Sequence, residues 1–317
     1  MQNVLVTGGA GFIGSHLCDK LVSEGYRVSC LDNLLTGSKK NIEHLMDNPN
    51  FNFIEGDIVQ SLEMMGTQLN YIFHLASPAS PIDYQNYPEE TLMVNSMGTL
   101  NVLKLAKKSG AKVLIASTSE VYGDPMEHPQ KETYFGNVNT VGPRSCYDES
   151  KRFAETATYV YLRKYDIDAR IIRIFNTYGP KMQKDDGRVV SNFIMAAITG
   201  GPLRIDGDGS QTRSFCYVDD LVDGILKAMF TDWTKGEVFN LGNPDEFAIK
   251  ELADLVKSLT GSNSEVLHSG SFRENDPMKR RPDITKAKTV LGWEPKIKLE
   301  EGLRKTIEYY KQLEARN

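Results

Sequence analysis

Tyr147 and Lys151, in the string CYDESK, stand four residues apart, so on a helix they share one face. A free tyrosine titrates near ~10 and is a poor base at neutral pH, but an adjacent ammonium favours the phenolate and lowers that value. The pair is therefore a candidate acid/base unit; an exposed helix pair is the plainer reading of YxxxK alone. A second string adds to it. ASTSEVYGD, residues 116–124, reads as a strand that ends in Ser117, Thr118, Ser119 and Glu120. A Thr118 hydroxyl at that strand end can hydrogen-bond the same substrate oxygen that Tyr147 deprotonates, which makes a site for removing hydride from a carbinol carbon.

Hydride needs an acceptor, and the N-terminal string VLVTGGAGFIGSHL supplies a place for one. Gly8, Gly11 and Gly14, with Phe12 and Ile13 between them, fall between a first strand and a first helix. Glycine there lets the backbone turn tightly and approach a pyrophosphate, which the helix N-terminus faces. RVSCLDN follows and ends a second strand in Asp32, eighteen residues after Gly14, near the roughly 20 expected for an acid on the adenosine ribose hydroxyls. A carboxylate at that point repels a 2′-phosphate, so the expected cofactor is NAD rather than NADP. Asn33, Thr36 and Gly37 continue that loop. Asp57 and Ile58, in EGDIV, end the third strand, where adenine contacts fall, and Leu75, Ala76 and Ser77 end the fourth.

These residues must be positioned by alternating elements. Short apolar strands, NVLVTG, RVSCLD, FNFIEGD, YIFHLAS, KVLIAST and ARIIRIFN, alternate with amphipathic stretches such as SHLCDKLVSEG and TLNVLKLAKKSG. That alternation predicts an α/β fold: a doubly wound parallel (Rossmann) sheet with right-handed crossovers and ligands at the strand C-terminal ends. After residue 178 the pattern breaks into Gly/Pro-rich loops mixed with helices. The expected division is an NAD-binding domain over 1–178 and a smaller α/β C-terminal substrate domain over 179–317. Its boundary is soft, because EVFNLGN reads as a strand that can return to the main sheet. The final stretch, LEEGLRKTIEYYKQLEARN, reads as an amphipathic helix on the second domain.

Composition bounds the rest. With 317 residues, 40% apolar and 25% charged, the chain has room for a large core and reads as globular. A net charge of −5 argues against a general nucleic-acid or anionic-membrane partner, and a small-molecule partner is expected. Cys18, Cys30, Cys146 and Cys216 are far apart with no CxxC pair, and the five histidines show no ligand spacing, so no metal is expected. The start NVLVTGG lacks a basic n-region and a long apolar run, and a cytoplasmic protein is the expectation.

Arg213 in GSQTRSF and Arg188 in DDGRVVSNF sit in loops that packing does not require. A guanidinium binds phosphate oxygens in a fork, so both are candidate diphosphate ligands; Arg188 alternatively touches the nicotinamide half of the cofactor.

TGGAGFIG, the Thr118/Tyr147/Lys151 set, FNTYGP and RSFCYVDD together resemble the extended short-chain dehydrogenase/reductase family that acts on nucleotide sugars, over essentially the whole chain. Within that family, HLASPASPIDYQNYPEETL, ASTSEVYGDP and GNVNTVGPRSCYDESKRFAE resemble its UDP-glucuronate decarboxylase branch. The resemblance implies NAD-dependent conversion of UDP-glucuronate to UDP-xylose: oxidation at C4, loss of CO2 from the β-keto acid, protonation at C5 and re-reduction at C4. It implies roles for Glu120 and for Arg280, of NDPMKRRPD, around the decarboxylation, Asn176 against the diphosphate, Tyr84 against the glucuronosyl carboxylate, and a homodimer. Sugar 4,6-dehydratases of this superfamily carry an Asp-Glu pair where this chain has Ser119-Glu120, and simple 4-epimerases generally lack the carboxylate. A UDP-glucuronate 4-epimerase or a dehydratase is the nearest rival reading. A non-catalytic NAD sensor is the rival of another class, and it needs none of Thr118, Tyr147 and Lys151.

Overall fold

The structure is a computed structural model that describes residues 1–62, 68–270 and 279–315; of the string NDPMKRRPD, residues 275–278 lie outside the described residues and Arg280 within them. The six expected strands form: β1 (Asn3–Thr7), β2 (Arg27–Asp32), β3 (Phe51–Glu55), β4 (Tyr71–His74), β5 (Lys112–Thr118) and β6 (Ala169–Ile174). With Val238–Leu241 they make a seven-stranded parallel sheet in the order Val238–Leu241, β6, β5, β4, β1, β2, β3. The doubly wound parallel fold is thus as expected. Strand order reverses between β1 and β4, and such a switch point opens a crevice at the strand C-terminal ends.

Period-two alternation explains why the sheet is covered on both faces. Val4, Val6, Val28, Cys30, Phe73, Leu114 and Ile172 pack into one apolar cluster. Their neighbours Leu5, Leu31, Ile72, Val113, Ile115 and Ile171 pack into the other. Helix α1 (Phe12–Ser23) lies against the helix Val218–Phe230 on the first face. On the second face lie α4 (Thr99–Ser109) and α5 (Ser145–Tyr165), preceded by the short α2 (Pro81–Asn86) and α3 (Pro88–Met93).

Helix α5 carries the acid/base pair, and its placement follows from its sequence. Tyr147, Ser150, Lys151 and Ala154 are buried and recur at helical spacing, so this stripe faces the sheet. Arg163 and Lys164 in the last turn oppose the partial negative charge of the helix C-terminus, and Asp166 closes it in a left-handed conformation.

Beyond residue 178 short strands pair locally: Leu203–Ile205 with Val266–His268, and Thr212–Ser214 with Glu246–Ala248 and Lys279–Arg280. The helices Val189–Thr199, Ile249–Thr260 and Leu299–Ala315 pack together beside them. Trp293, almost fully buried, donates its indole N–H to the Asp220 carbonyl at 2.9 Å, and the Asp220 carboxylate accepts from the backbone of Lys296 and Ile297. These bonds pin the approach to the last helix onto the helix Val218–Phe230.

Candidate active site

One cavity of about 660 Å³ runs along the C-terminal ends of the sheet. It lies within the roughly 300–1,000 Å³ typical of ligand sites. Every site residue expected from the sequence lines it, from Gly8 to Arg280.

At its first end, Gly8, Gly11 and Gly14 line the cavity. Gly8 turns with φ +73°, and a Cβ there would meet the Ala76 backbone at 2.7 Å; a Cβ on Gly14 would come within 2.1 Å of the Gly8 carbonyl oxygen. Glycine is therefore required for β1, β4 and α1 to approach one another. Gly11 caps α1, and Phe12, Ile13 and Gly14 of its first turn line the cavity. Asp32 ends β2 almost buried, accepting from Ala10 N at 3.0 Å and Leu34 N at 2.8 Å. Burial pushes its carboxyl above the ordinary value and those backbone bonds oppose the rise. Each oxygen retains capacity for a further hydroxyl. Asp57, at the end of the next strand, accepts from Asn33 at 3.4 Å. A glycine turn, a helix N-terminus and a fixed carboxylate fit a dinucleotide with a free ribose 2′-hydroxyl.

The reacting groups meet in the middle. Thr118 ends β5, and its hydroxyl accepts from Glu120 N at 3.2 Å, which starts a single tight turn over Ser119–Tyr122. The Thr118 hydroxyl also favours the ionised form of the Tyr147 phenol. Lys151 donates to the Ala116 carbonyl at 2.9 Å and its Nζ lies 5.8 Å from the Tyr147 ring centre.

The expected lowering of Tyr147 is not what the structure shows. Burial pushes Tyr147 up to about 12, against the lowering influence of Thr118 and Arg188, and it lowers Lys151 to about 7, with Glu155 opposing. Desolvation penalises the charged form of each group, and spacing along a helix carries no information about burial.

Glu120 is gripped from both sides. Arg144 Nη2 donates to Oε2 and Arg280 Nη1 to Oε1. Burial alone would push the Glu120 carboxyl up; Arg144 and Arg280, with Arg213 beyond, reverse this and hold it below the ordinary range. Glu120 is therefore an anion and an acceptor. Arg144 was missed from the sequence: it sits three residues before Tyr147, at the head of α5, and a loop arginine there carries no signal until its partner across the fold is known.

At the far end, Arg213 is almost buried, on the strand Thr212–Ser214 beside Lys279–Arg280. Arg188 pairs with the buried Asp186 at 2.7 Å and lines the same cavity as Tyr147, whose ionised form its charge favours. Asn176 follows β6 at the cavity wall. Tyr84, on α2, is almost fully buried, and its hydroxyl has no hydrogen-bond partner among the described residues. Two further residues escaped the sequence reading. Glu155 accepts from Ser117 at 2.6 Å and from Arg173 at 2.9 and 2.7 Å, which answers why Ser117 ends the strand: it anchors β5 to α5. His74 bridges Thr7 at 2.8 Å and Thr99 at 3.1 Å beneath the site.

A parallel doubly wound sheet, a glycine turn and a Thr-Tyr-Lys centre beside a nucleotide-sized cavity define an extended short-chain dehydrogenase/reductase. The chain belongs to the GDP-mannose 4,6 dehydratase family, whose pattern matches residues 5–306. It is 52% identical over 311 residues to UDP-glucuronic acid decarboxylase 1 of Xenopus tropicalis, covering 98% of this chain and 72% of that protein. Among solved structures it resembles the UDP-glucose 4-epimerase of Thermotoga maritima (TM-score 0.90, 36% identity, 98% of this chain and 99% of that one). It also resembles the UDP-glucuronic acid 4-epimerase of Bacillus cereus in complex with UDP-glucuronic acid and NAD (TM-score 0.90, 31% identity, 98% of this chain and 100% of that one).

Proposed function

We propose that this chain is a carboxy-lyase that converts UDP-glucuronate to UDP-xylose with bound NAD. The observation that carries the reading is the Ser119-Glu120 strand end, one carboxylate held ionised by two arginines beside Tyr147, in a chain 52% identical to a UDP-glucuronic acid decarboxylase. A dehydratase needs an acid for the leaving hydroxyl and a base for C5, and Ser119 supplies neither. An epimerase needs only to oxidise, rotate and reduce, and has no use for Glu120.

Gly8, Gly11, Phe12, Ile13 and Gly14 hold the pyrophosphate; Asp32, Asn33, Thr36 and Gly37 hold the adenosine ribose; Asp57, Ile58, Leu75, Ala76 and Ser77 line the rest of the cofactor. When bound, NAD+ supplies the acceptor for the C4 hydride and the source of its return. Tyr147, as the phenolate, takes the C4 hydroxyl proton, with Thr118 bonded to the same oxygen and Lys151 completing the set; the positive charge of NAD+, when bound, would favour that phenolate against the burial that raises it. With C4 a ketone, the C6 carboxylate is β to it. The C5–C6 bond breaks, CO2 leaves, and the electron pair of that bond passes into an enolate that takes a proton at C5 from water. Glu120 orients the sugar and assists at this stage, directly or through water, because an acceptor-only carboxylate fixes a hydroxyl or a water rather than donating a proton itself. Tyr147 then returns its proton to the C4 oxygen. Arg213 and Asn176 hold the diphosphate, Arg280 steadies Glu120, and Arg188 lies toward the nicotinamide side.

Residues 1–178 form the NAD-binding unit and residues 179–317 the UDP-sugar unit, with Val238–Leu241 joining the main sheet. The chain acts as a cytoplasmic homodimer. Leu92, Phe153 and Val160, on the adjoining α3 and α5, are about half exposed and supply an apolar face for the dimer, and four free thiols suit a reducing compartment. Among the described residues no helix is long and apolar enough to cross a membrane. Turnover of UDP-glucuronate labelled at C6 tests the reading: the label must appear as CO2 in step with loss of substrate, and label retained in the sugar would refute it.

A further inference from the structure

Arg280 reaches Glu120 from a short strand, and both edges of that strand's chain are held. On one edge Lys279–Arg280 pairs with Thr212–Ser214, and the Ser214 hydroxyl donates to the Arg280 carbonyl at 3.1 Å. On the other edge stands Gln130. Its backbone N–H donates to the Arg281 carbonyl at 2.9 Å, its side-chain oxygen accepts from Arg281 N at 2.9 Å, and its carbonyl accepts from Asp283 N at 2.8 Å. Gln130 Nε2 donates to the Glu127 carbonyl at 2.7 Å, so both ends of the carboxamide are used and its orientation is fixed.

Asn240, on the edge strand Val238–Leu241 of the main sheet, ties this clasp to the other partner. Its Nδ2 donates to the carbonyls of Gln130 at 3.0 Å and Asp283 at 3.2 Å. Its Oδ1 accepts from the Tyr122 hydroxyl at 2.8 Å, and Tyr122 ends the turn that carries Glu120. Gln130 and Asn240 are fully buried, and neither is among the described residues that line the cavity. Burying two carboxamides costs free energy unless their polar atoms are paired. A fully paired network specifies one arrangement, where apolar side chains would only fill space. Here it joins the chain just after Arg280 to the chain just after Glu120.

Resting on the decarboxylase reading, we propose that Gln130 is a positioning residue for the loss of CO2: backed by Asn240, it sets Arg280 against Glu120. The groups that oxidise C4 are held by other means, Tyr147 and Lys151 by α5 and Thr118 by β5. Loosening the clasp therefore reaches one half of the reaction. A displacement on the order of 1 Å at a positioned step can cost about 10²-fold.

The test is a single turnover of UDP-glucuronate by NAD-loaded protein, following the rise and fall of reduced nicotinamide and the release of CO2. Gln130→Leu removes both side-chain bonds and leaves the main-chain ones. Its rise of reduced nicotinamide should stay within about 2-fold of the parent, while its fall and CO2 release slow about 10-fold or more. The fraction of cofactor reduced at steady state should rise accordingly. A merely structural role would lower the amount of active protein and leave that fraction unchanged. If Gln130→Leu does not fold, Tyr122→Phe takes its place, because it cuts the tie between Asn240 and the Glu120 turn, and the same pattern is expected. Equal slowing of both phases, slowing of the rise alone, or no change overturns the proposal. Failure of the decarboxylase reading would show separately, as absence of CO2 from the unaltered protein.

Discussion

The rings of Tyr84 and Tyr147 are stacked, with centroids 5.0 Å apart and planes 7° from parallel. Tyr84 therefore fixes the plane of the acid/base phenol from α2, while its own hydroxyl, buried and without a partner among the described residues, is left for a ligand. Tyr84→Phe keeps the stack and should raise KM for UDP-glucuronate several-fold, with a melting temperature unchanged or higher, because it removes a hydroxyl whose desolvation is uncompensated. Tyr84→Ala should cost about 3–5 kcal/mol in denaturant unfolding through the cavity it leaves. Steady-state kinetics beside urea melts separate the two effects.

Glu120 and Tyr147 should divide the reaction between them. Tyr147→Phe should lose the first oxidation, with turnover down roughly 10²–10⁴-fold, the usual worth of a positioned acid/base. Glu120→Gln should still oxidise C4 and then stall, so reduced nicotinamide accumulates in a single turnover. Parent-rate turnover by Glu120→Gln would remove Glu120 from the mechanism.

Asp32 should set cofactor choice. Asp32→Ala removes both the acceptor for the ribose hydroxyls and the repulsion toward a 2′-phosphate, so NAD affinity should fall about 10-fold or more. The preference for NAD over NADP should narrow with it. Titration of each cofactor, with UDP affinity as the control for folding, reads this directly.

His74 should make the fold sensitive to acid. Burial, with the Lys151 charge adding, lowers its imidazole to about 3 against 6.5 when unfolded. The unfolded chain therefore takes up a proton below pH 6.5 that the folded chain refuses until about pH 3. Its contribution is present above pH 6.5 and lost on acidification, by about 2 kcal/mol at pH 5. Unfolding free energies of the parent and His74→Gln at pH 7 and pH 5 should show a shallower acid loss in the variant.

The fold was legible because its signals are local. Leu5 between Val4 and Val6 announces a strand covered on both faces, and Tyr147 with Lys151 announces one helix face, each within a few residues. Gly14 was legible as a close approach, although not that its partner is the Gly8 carbonyl oxygen. The grip on Glu120 was only half legible. Arg280 came through family resemblance, but it lies 160 positions away in the chain, and Arg144 is an ordinary loop arginine until the fold brings it to the strand end. The Tyr147 shift was misjudged in direction because it depends on desolvation, which only the packed site reveals.

The central claim is most directly tested by the NMR spectrum of the sugar nucleotide formed from UDP-glucuronate in D2O by NAD-loaded protein. The account predicts UDP-xylose with one deuterium at C5, the C4 configuration retained and no net change in cofactor redox state. A six-carbon uronate inverted at C4, with its carboxylate intact, would contradict it.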